Sequence, residues 1–227
     1  MKLYSKQQMS ESFLIGTLLA VVGGFLDAYT YIARGGVFAN AQTGNIVLMG
    51  MNLAEGRWLD AFACFIPIFA FACGVFVDEW IRRFFLPKPV IHWRQIVILS
   101  EMLLLFIVAF LPLGGKYDLV ANVLVSFVCS LQAQSFRKLH GLPYATTMCT
   151  GNLRSGTEHL FCFSQNKNIA ECKKAASYYG VILFFIFGAG IGAVLAKQFG
   201  QLSVAFGNIL LLLVCILLSI RSKENAE

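Results

Sequence analysis

The sequence predicts an all-α fold: a polytopic membrane helical bundle of about six transmembrane helices. Three observations predict it. Hydrophobic residues make up 58% of the 227 and charged residues 13%, against roughly 45–50% and about 25% in soluble domains. Six continuous apolar windows are each long enough to cross a hydrocarbon core about 30 Å thick. The Lys and Arg residues sort to one side of those windows. With a mean hydropathy of +0.71, a soluble chain of this size lacks the polar surface to cover its exterior. The composition also argues against intrinsic disorder, a secreted disulfide scaffold and a nucleic-acid-binding domain.

The windows are residues 13–33, 61–77, 96–113, 119–136, 175–196 and 202–220. Asp27 and Glu101 are the acidic residues inside them, and no Lys or Arg falls there. Their apolar character is continuous rather than alternating, which excludes a strand-built barrel. Lys2 and Lys6 precede the first window as in a signal peptide, but the stretch is long for that role and no small-residue cleavage site is obvious. It reads as a retained first helix. The whole chain, 1–227, then forms a single integral membrane domain.

Orientation follows from the 18 Lys and Arg residues. With the N-terminus inside, 14 of them share its side: Lys2, Lys6, Arg82, Arg83, Lys88, Arg94, Arg137, Lys138, Arg154, Lys167, Lys173, Lys174, Arg221 and Lys223. Arg34, Arg57, Lys116 and Lys197 fall on the other. The bias predicts a multi-pass protein of the cell (plasma or inner) membrane with both termini cytoplasmic. The net charge of +6 is therefore a record of topology and needs no nucleic-acid partner; Arg82 and Arg83 suit anionic headgroups. Seven scattered cysteines without a CxxC pair and three isolated histidines predict no metal site, no cofactor and no disulfide framework.

Two stretches outside the windows are too apolar for ordinary loops and too interrupted for spans: 35–56 and 141–163. Each carries the same triplet, Thr43-Gly44-Asn45 and Thr150-Gly151-Asn152. Each triplet follows the first window of a half and precedes two more, so the chain divides into internal repeats at about 11–113 and 118–220. Three spans per half predict two inverted three-helix repeats, with the triplets in broken or re-entrant segments; such layouts put transporter sites near the midplane. Thr or Asn there can cap a helix, and Gly lets backbone approach a ligand. A short helix over 45–54 would aim free N–H groups inward. The alternative is that each triplet only ends a re-entrant segment and satisfies its backbone.

Asp27 is the leading polar residue at membrane depth, read either as a cation, proton or substrate ligand or as a partner of Arg34, about two helical turns away. Gln132 and Gln134 occupy the corresponding region of the second half, so Asp27, Gln132, Asn45 and Asn152 could line one polar cavity. Glu101 reads as a hydrated or paired residue near an interface, and Asp78 and Glu79 as local partners of Arg82 and Arg83. Gly188, Gly190 and Gly192 mark close helix packing within the chain or in a homodimer. The 21 Phe residues read as lipid-facing bulk, and Trp58, Trp80 and Trp93 as interfacial anchors.

Three runs carry a family resemblance: Gly24-Phe25-Leu26-Asp27-Ala28, Val37-Phe38-Ala39-Asn40, and Gln42-Thr43-Gly44-Asn45. The second half adds Leu131-Gln132-Ala133-Gln134, Phe136-Arg137-Lys138 and the run from Thr146 to Ser155. Together they make the chain, over nearly its whole length, resemble the YoaK family of bacterial multi-pass membrane proteins. The resemblance implies a bacterial inner- or plasma-membrane protein of about six helices and names no substrate.

The expected function is a membrane transporter or channel-like permease for a small polar or ionic solute. Its solute or ion pathway is expected at Asp27, Thr43, Gly44, Asn45, Gln132, Gln134, Thr150, Gly151 and Asn152. The alternative is a non-transporting membrane scaffold or accessory subunit. No nucleophile–base pair or nucleotide loop marks an enzyme.

Overall fold

Each of the six apolar windows is a helix, and each interrupted stretch contributes one more. A computed structural model describes residues 11–86 and 92–224, with side chains to 219. Lys2, Lys6 and Lys88, counted above toward orientation, lie outside the described residues, and the side chains of Arg221 and Lys223 are not described. The helices are α1 (Phe13–Ala33), α2 (Gln42–Ala54), α3 (Trp58–Phe85), α4 (Trp93–Phe110), α5 (Lys116–Ser135), α6 (Cys149–Asn166), α7 (Ile169–Phe199) and α8 (Val204–Glu224). A two-residue hairpin, β1 (Lys138–Leu139) with β2 (Leu142–Pro143), lies between α5 and α6.

Local chemistry sets several ends. The Ser12 hydroxyl accepts from the Ile15 N–H and starts α1. His92 and Gln95 cap α4 reciprocally, and the Asn168 side chain caps α7. Residues 169–219 together are apolar enough to span; they fold as two helices, parted at the polar stretch Lys197–Gln201, where Gly200 takes φ +55° and opens a 3₁₀ turn.

Long apolar helices of this kind make the protein a transmembrane helical bundle. α1, α3, α4 and the 169–219 run have the length and apolarity to cross a bilayer. α5 is helical but more polar, because Asn122, Ser126 and Ser130 repeat every four residues along it. All three are buried, so the stripe faces protein rather than lipid.

Within its most apolar window α1 is 78% buried and α3 only 22%. α1 is therefore central, and α3 presents Phe62, Phe65, Phe69 and Phe76 outward. The core gathers side chains of α1, α4, α5 and α8. The main helix pairings are unchanged when α1–α4 are exchanged for α5–α8. Thus α1 packs on α7 as α5 does on α3, α2 on α3 as α6 on α7, and α4 on α5 as α8 on α1.

The α1–α7 contact is backbone-close. A Cβ on Gly188 would run into the Val21 carbonyl, one on Gly192 would lie 2.7 Å from the Phe25 carbonyl oxygen, and one on Gly24 would meet Phe185. Gly188 and Gly192 thus serve packing inside the chain, whereas a Cβ on Gly190 meets nothing within 4 Å.

Several side chains depart from the sequence reading. Trp93 is no interfacial anchor: it is 5% exposed beneath the Arg94 guanidinium, 4.6 Å from its ring centre. Trp58 and Trp80 are exposed. Phe25 and Phe136 sit in the core instead of facing lipid. Glu101, expected to be hydrated or paired, is fully buried, and neither carboxylate oxygen has a hydrogen-bond partner. Glu79 does pair with Arg82, at 3.5 Å, but Asp78 turns inward to accept from the Ser135 hydroxyl.

Arg34 ties one end of the bundle together. Its side chain is 0% exposed. It donates to the Val108, Leu111 and Pro112 carbonyls at 3.0, 2.9 and 2.7 Å, to the Tyr29 hydroxyl at 2.8 Å and to Asp118 at 3.3 Å. The carbonyls belong to the C-terminal end of α4 and the link after it, Asp118 to the first turn of α5 and Tyr29 to α1 itself. Arg34→Met leaves them unpaired and should cost roughly 3–5 kcal/mol, the scale of breaking a buried ion pair. Lys, with no planar fork, should not rescue it; thermal unfolding in detergent measures both. In the same assay Gly188→Leu should destabilise by at least about 1–3 kcal/mol through overpacking, while Gly190→Leu leaves the melting point in place.

Candidate functional site

Both interrupted segments fold back along α1 and meet at its middle. The chain leaves α1 at Ala33, yet the Asn40 amide donates to the Gly23 carbonyl at 2.9 Å. That returns it about 15 Å along the helix at ~1.5 Å per residue. The second segment arrives from the other end. The His140 N–H donates to the Glu11 carbonyl at 2.7 Å. A Cβ on Gly16 would contact the Tyr144 hydroxyl at 3.2 Å, and one on Gly23 would lie 2.7 Å from the Thr146 carbonyl oxygen. Gly23 has room for no side chain because the Thr146–Thr147 backbone closes on it, while its carbonyl takes the Asn40 side-chain amide from the first segment.

Around this glycine lies a buried polar junction. Asp27 Oδ1 accepts the Asn40 N–H at 3.1 Å. The Thr30 hydroxyl accepts the Ala39 N–H, and the Ser126 hydroxyl of α5 donates to the Ala39 carbonyl at 2.9 Å. The turn at 39–40 is thus hydrogen-bonded on both sides inside an apolar bundle, which is what membrane depth demands of non-helical backbone. Asp27 is 9% exposed, Asn40 1%, Thr146 1% and Thr147 3%. Asn40 Oδ1 and the hydroxyls of Thr146 and Thr147 have no hydrogen-bond partner. Cys149, the first residue of α6, and Cys129 of α5 both lie within electrostatic reach of Asp27.

Asp27 does not pair with Arg34, whose donors are all engaged at the far end of α1. The triplets occupy the first turns of α2 and α6, and in each one Thr and Gly are exposed while Asn is buried. Neither triplet caps its helix. The N-cap residues are Ala41 and Met148, without side-chain cap bonds, because α2 starts at Gln42, three residues before the expected 45–54 helix. Gly44 and Gly151 have ordinary φ, and a Cβ on either meets nothing within 4 Å, so neither supplies a close backbone approach.

The two buried Asn residues act locally. Asn45 donates to the Gln42 side chain at 3.0 Å. Asn152 accepts the Ala145 N–H at 3.1 Å and donates to the Ala145 carbonyl at 2.7 Å. Gln132 donates to the Leu19 carbonyl at 3.1 Å, one turn of α1 before Gly23. Asp27, Asn45, Gln132 and Asn152 share no hydrogen bond with one another.

Gln134 lies elsewhere. It donates to Glu79 at 2.6 Å and lines a cleft with Glu11, Arg82, Trp93, Arg94, Ser135, Arg137 and Lys138. Sequence reasoning passed over Asn40, Thr146, Thr147 and Ser126. Asn40 and Thr147 each stand five residues before the buried Asn of their triplet, a spacing that marked them once the triplets were aligned.

The Asn152 clamp yields a direct expectation. Asn152→Ala removes two hydrogen bonds and should cost about 1–3 kcal/mol. Amide hydrogen exchange should rise across residues 142–148 while α3 and α4 stay protected.

Comparisons with known proteins agree with a membrane-embedded chain. The family described as "Protein of unknown function (DUF1275)" matches residues 15–217. A relative from Bacillus subtilis (strain 168), the UPF0700 transmembrane protein YoaK, is 25% identical over 151 residues. That alignment takes in 63% of this chain, and the chain spans 65% of that relative's length. No solved structure matches. The chain belongs to the DUF1275 family.

Proposed function

We propose that this member of the DUF1275 family is a transporter or channel-like permease for a small polar or ionic solute. In this reading α1–α4 and α5–α8 are inverted repeats, and the solute binds where their re-entrant segments meet. The observation that carries the reading is the junction at Gly23, one turn of α1 before Asp27, where Asn40, Thr146 and Thr147 keep unpaired polar atoms and Asn40 also bonds Asp27. A buried polar atom without a partner costs free energy, so a site that keeps three of them is poised for a ligand. An acidic group, an amide oxygen and two hydroxyls suit a cation or a solute rich in N–H and O–H donors. Burial of all four residues corresponds to an occluded site, reached by movement of α2 or α6.

Orientation supports the same picture. Glu11, the C-terminal ends of α3 and α5 and the start of α4 gather at one end, with Arg82, Arg94, Arg137 and Lys138 about one cleft. We place that end in the cytoplasm of a plasma- or inner-membrane protein by the positive-inside rule. The exposed Phe side chains of α3 then contact lipid.

The test screens purified protein against ions and small metabolites by thermal shift and then measures uptake into vesicles. Asp27→Asn and Thr147→Val should abolish solute-dependent stabilisation and uptake while leaving membrane abundance within about twofold, since neither change removes a packing contact of more than ~1 kcal/mol. Loss of abundance with normal uptake per molecule would refute the reading. A scaffold or accessory subunit is the second reading, favoured by Asn152 closing on Ala145. It expects no solute effect and co-purification with another membrane protein.

A further inference from the structure

A second buried acidic site lies away from Gly23. Glu101, the ninth residue of α4, is 0% exposed, and both its carboxylate oxygens lack a hydrogen-bond partner. The charge that reaches it is that of Asp78 on α3. α5 presents the Cys129 thiol to it. The described side chains of α8 (204–219) include no ionisable group except Cys215, and Asn208 of that helix donates to the Met102 carbonyl beside Glu101. No described cation faces Glu101. An ionised carboxylate with no donor and no cation costs several kcal/mol in such surroundings; one added proton removes that charge.

Asp78 connects this acid to solvent. Its Oδ1 accepts from the Ser135 hydroxyl, while Oδ2 is unpartnered. Ser135 lines the polar cleft of about 240 Å³ with Arg82, Arg94, Arg137 and Lys138. Arg94 and Arg137 are near enough to act electrostatically on Asp78.

We propose that Glu101 is a proton-binding site, loaded from the arginine-lined cleft by way of Asp78. In loading, the O–H bond on Asp78 breaks as an O–H bond forms on Glu101, and the negative charge moves from Glu101 to Asp78. Asp78 then regains a proton from the cleft by way of Ser135, which lines it. The acids of this site, Glu101 and Asp78, are not those of the Gly23 junction, although Cys129 lies within electrostatic reach of both Glu101 and Asp27. A proton moving through it would supply the driving ion if that reading holds.

The test uses the full chain in oriented proteoliposomes and dicyclohexylcarbodiimide, which reacts with protonated carboxyls in apolar surroundings. The acid oxygen bonds the central carbon and its proton goes to nitrogen, so the adduct reports the neutral acid. Mass spectrometry should find the adduct on Glu101, forming more slowly as pH rises on the cleft side and indifferent to pH on the other. Asp78→Asn should slow the response to a pH jump by roughly a hundredfold, as removal of a positioned proton-transfer group does. Infrared difference spectra of the wild type between low and high pH should show a protonated-carboxyl C=O stretch that Glu101→Gln lacks. The proposal is overturned by an absent adduct at every pH, by labelling that follows the opposite compartment, or by protection with NaCl but not choline chloride at fixed pH. The wild-type arms stand even where a variant fails to fold, and none depends on solute uptake.

Discussion

One guanidinium organises the fold. Arg34 stands at the C-terminal cap of α1 and pairs with carbonyls that the end of α4 leaves open, and Asp118 anchors it to the first turn of α5. The Asn122 amide of α5 donates to the Arg34 carbonyl, so the contact runs both ways. Tyr29, which accepts from Arg34, donates in turn toward the Gln201 carbonyl in the turn between α7 and α8. Helix ends carry unpaired backbone groups that hydrocarbon cannot satisfy. A planar cation with five donors meets several at once, which an ammonium cannot. Fixing α1 against α4, α5 and the α7–α8 turn at this end obliges the chain after Ala33 to turn back inward.

That return explains the junction at Gly23. Backbone that is neither helix nor sheet can lie at membrane depth only where protein groups satisfy it. Residues 39–40 take bonds from Asp27, Thr30, Ser126 and the Gly23 carbonyl. The polar stripe on α5 exists for the same reason: Asn122 serves the Arg34 carbonyl, and Ser126, one turn later, serves the Ala39 carbonyl. The glycines of α7 let that helix lie on α1 at backbone distance, which keeps the central helix enclosed.

Much of this was legible in the sequence. The first apolar window coincides with α1, and the other five lie on α3, α4, α5, α7 and α8, with α3 running on to Phe85 and α7 starting back at Ile169. The two interrupted stretches were rightly singled out, since each holds a helix that starts at depth. The roles inside them were not legible, because a triplet repeated in sequence does not reveal which of its side chains point inward. Thr43, Gly44, Thr150 and Gly151 point out, and Asn45 and Asn152 turn to neighbouring groups. Arg34 was counted as an outer charge, because positive-inside statistics cannot tell a solvated arginine from one that closes a helix end. Glu101 was misplaced toward an interface for a related reason: position along a helix gives depth, but burial depends on neighbours from α3, α5 and α8.

The two halves share a scaffold and differ in chemistry. The triplets match, their Asn residues are buried alike, and the helix pairings exchange. Five residues before those Asn residues the match ends: Asn40 bonds Gly23 and leaves one oxygen open, whereas Thr147 offers a lone hydroxyl. Asp27, likewise, aligns with Gln132, which is spent on the Leu19 carbonyl. A symmetric scaffold would place identical groups on either side of Gly23 and carry no net preference across the bundle. Here the carboxylate comes from the first half alone, so one side of the junction can bear charge and the other can only hydrogen-bond. Whatever occupies the junction meets a polar environment with a direction, set by the residues that differ rather than by the motif that repeats.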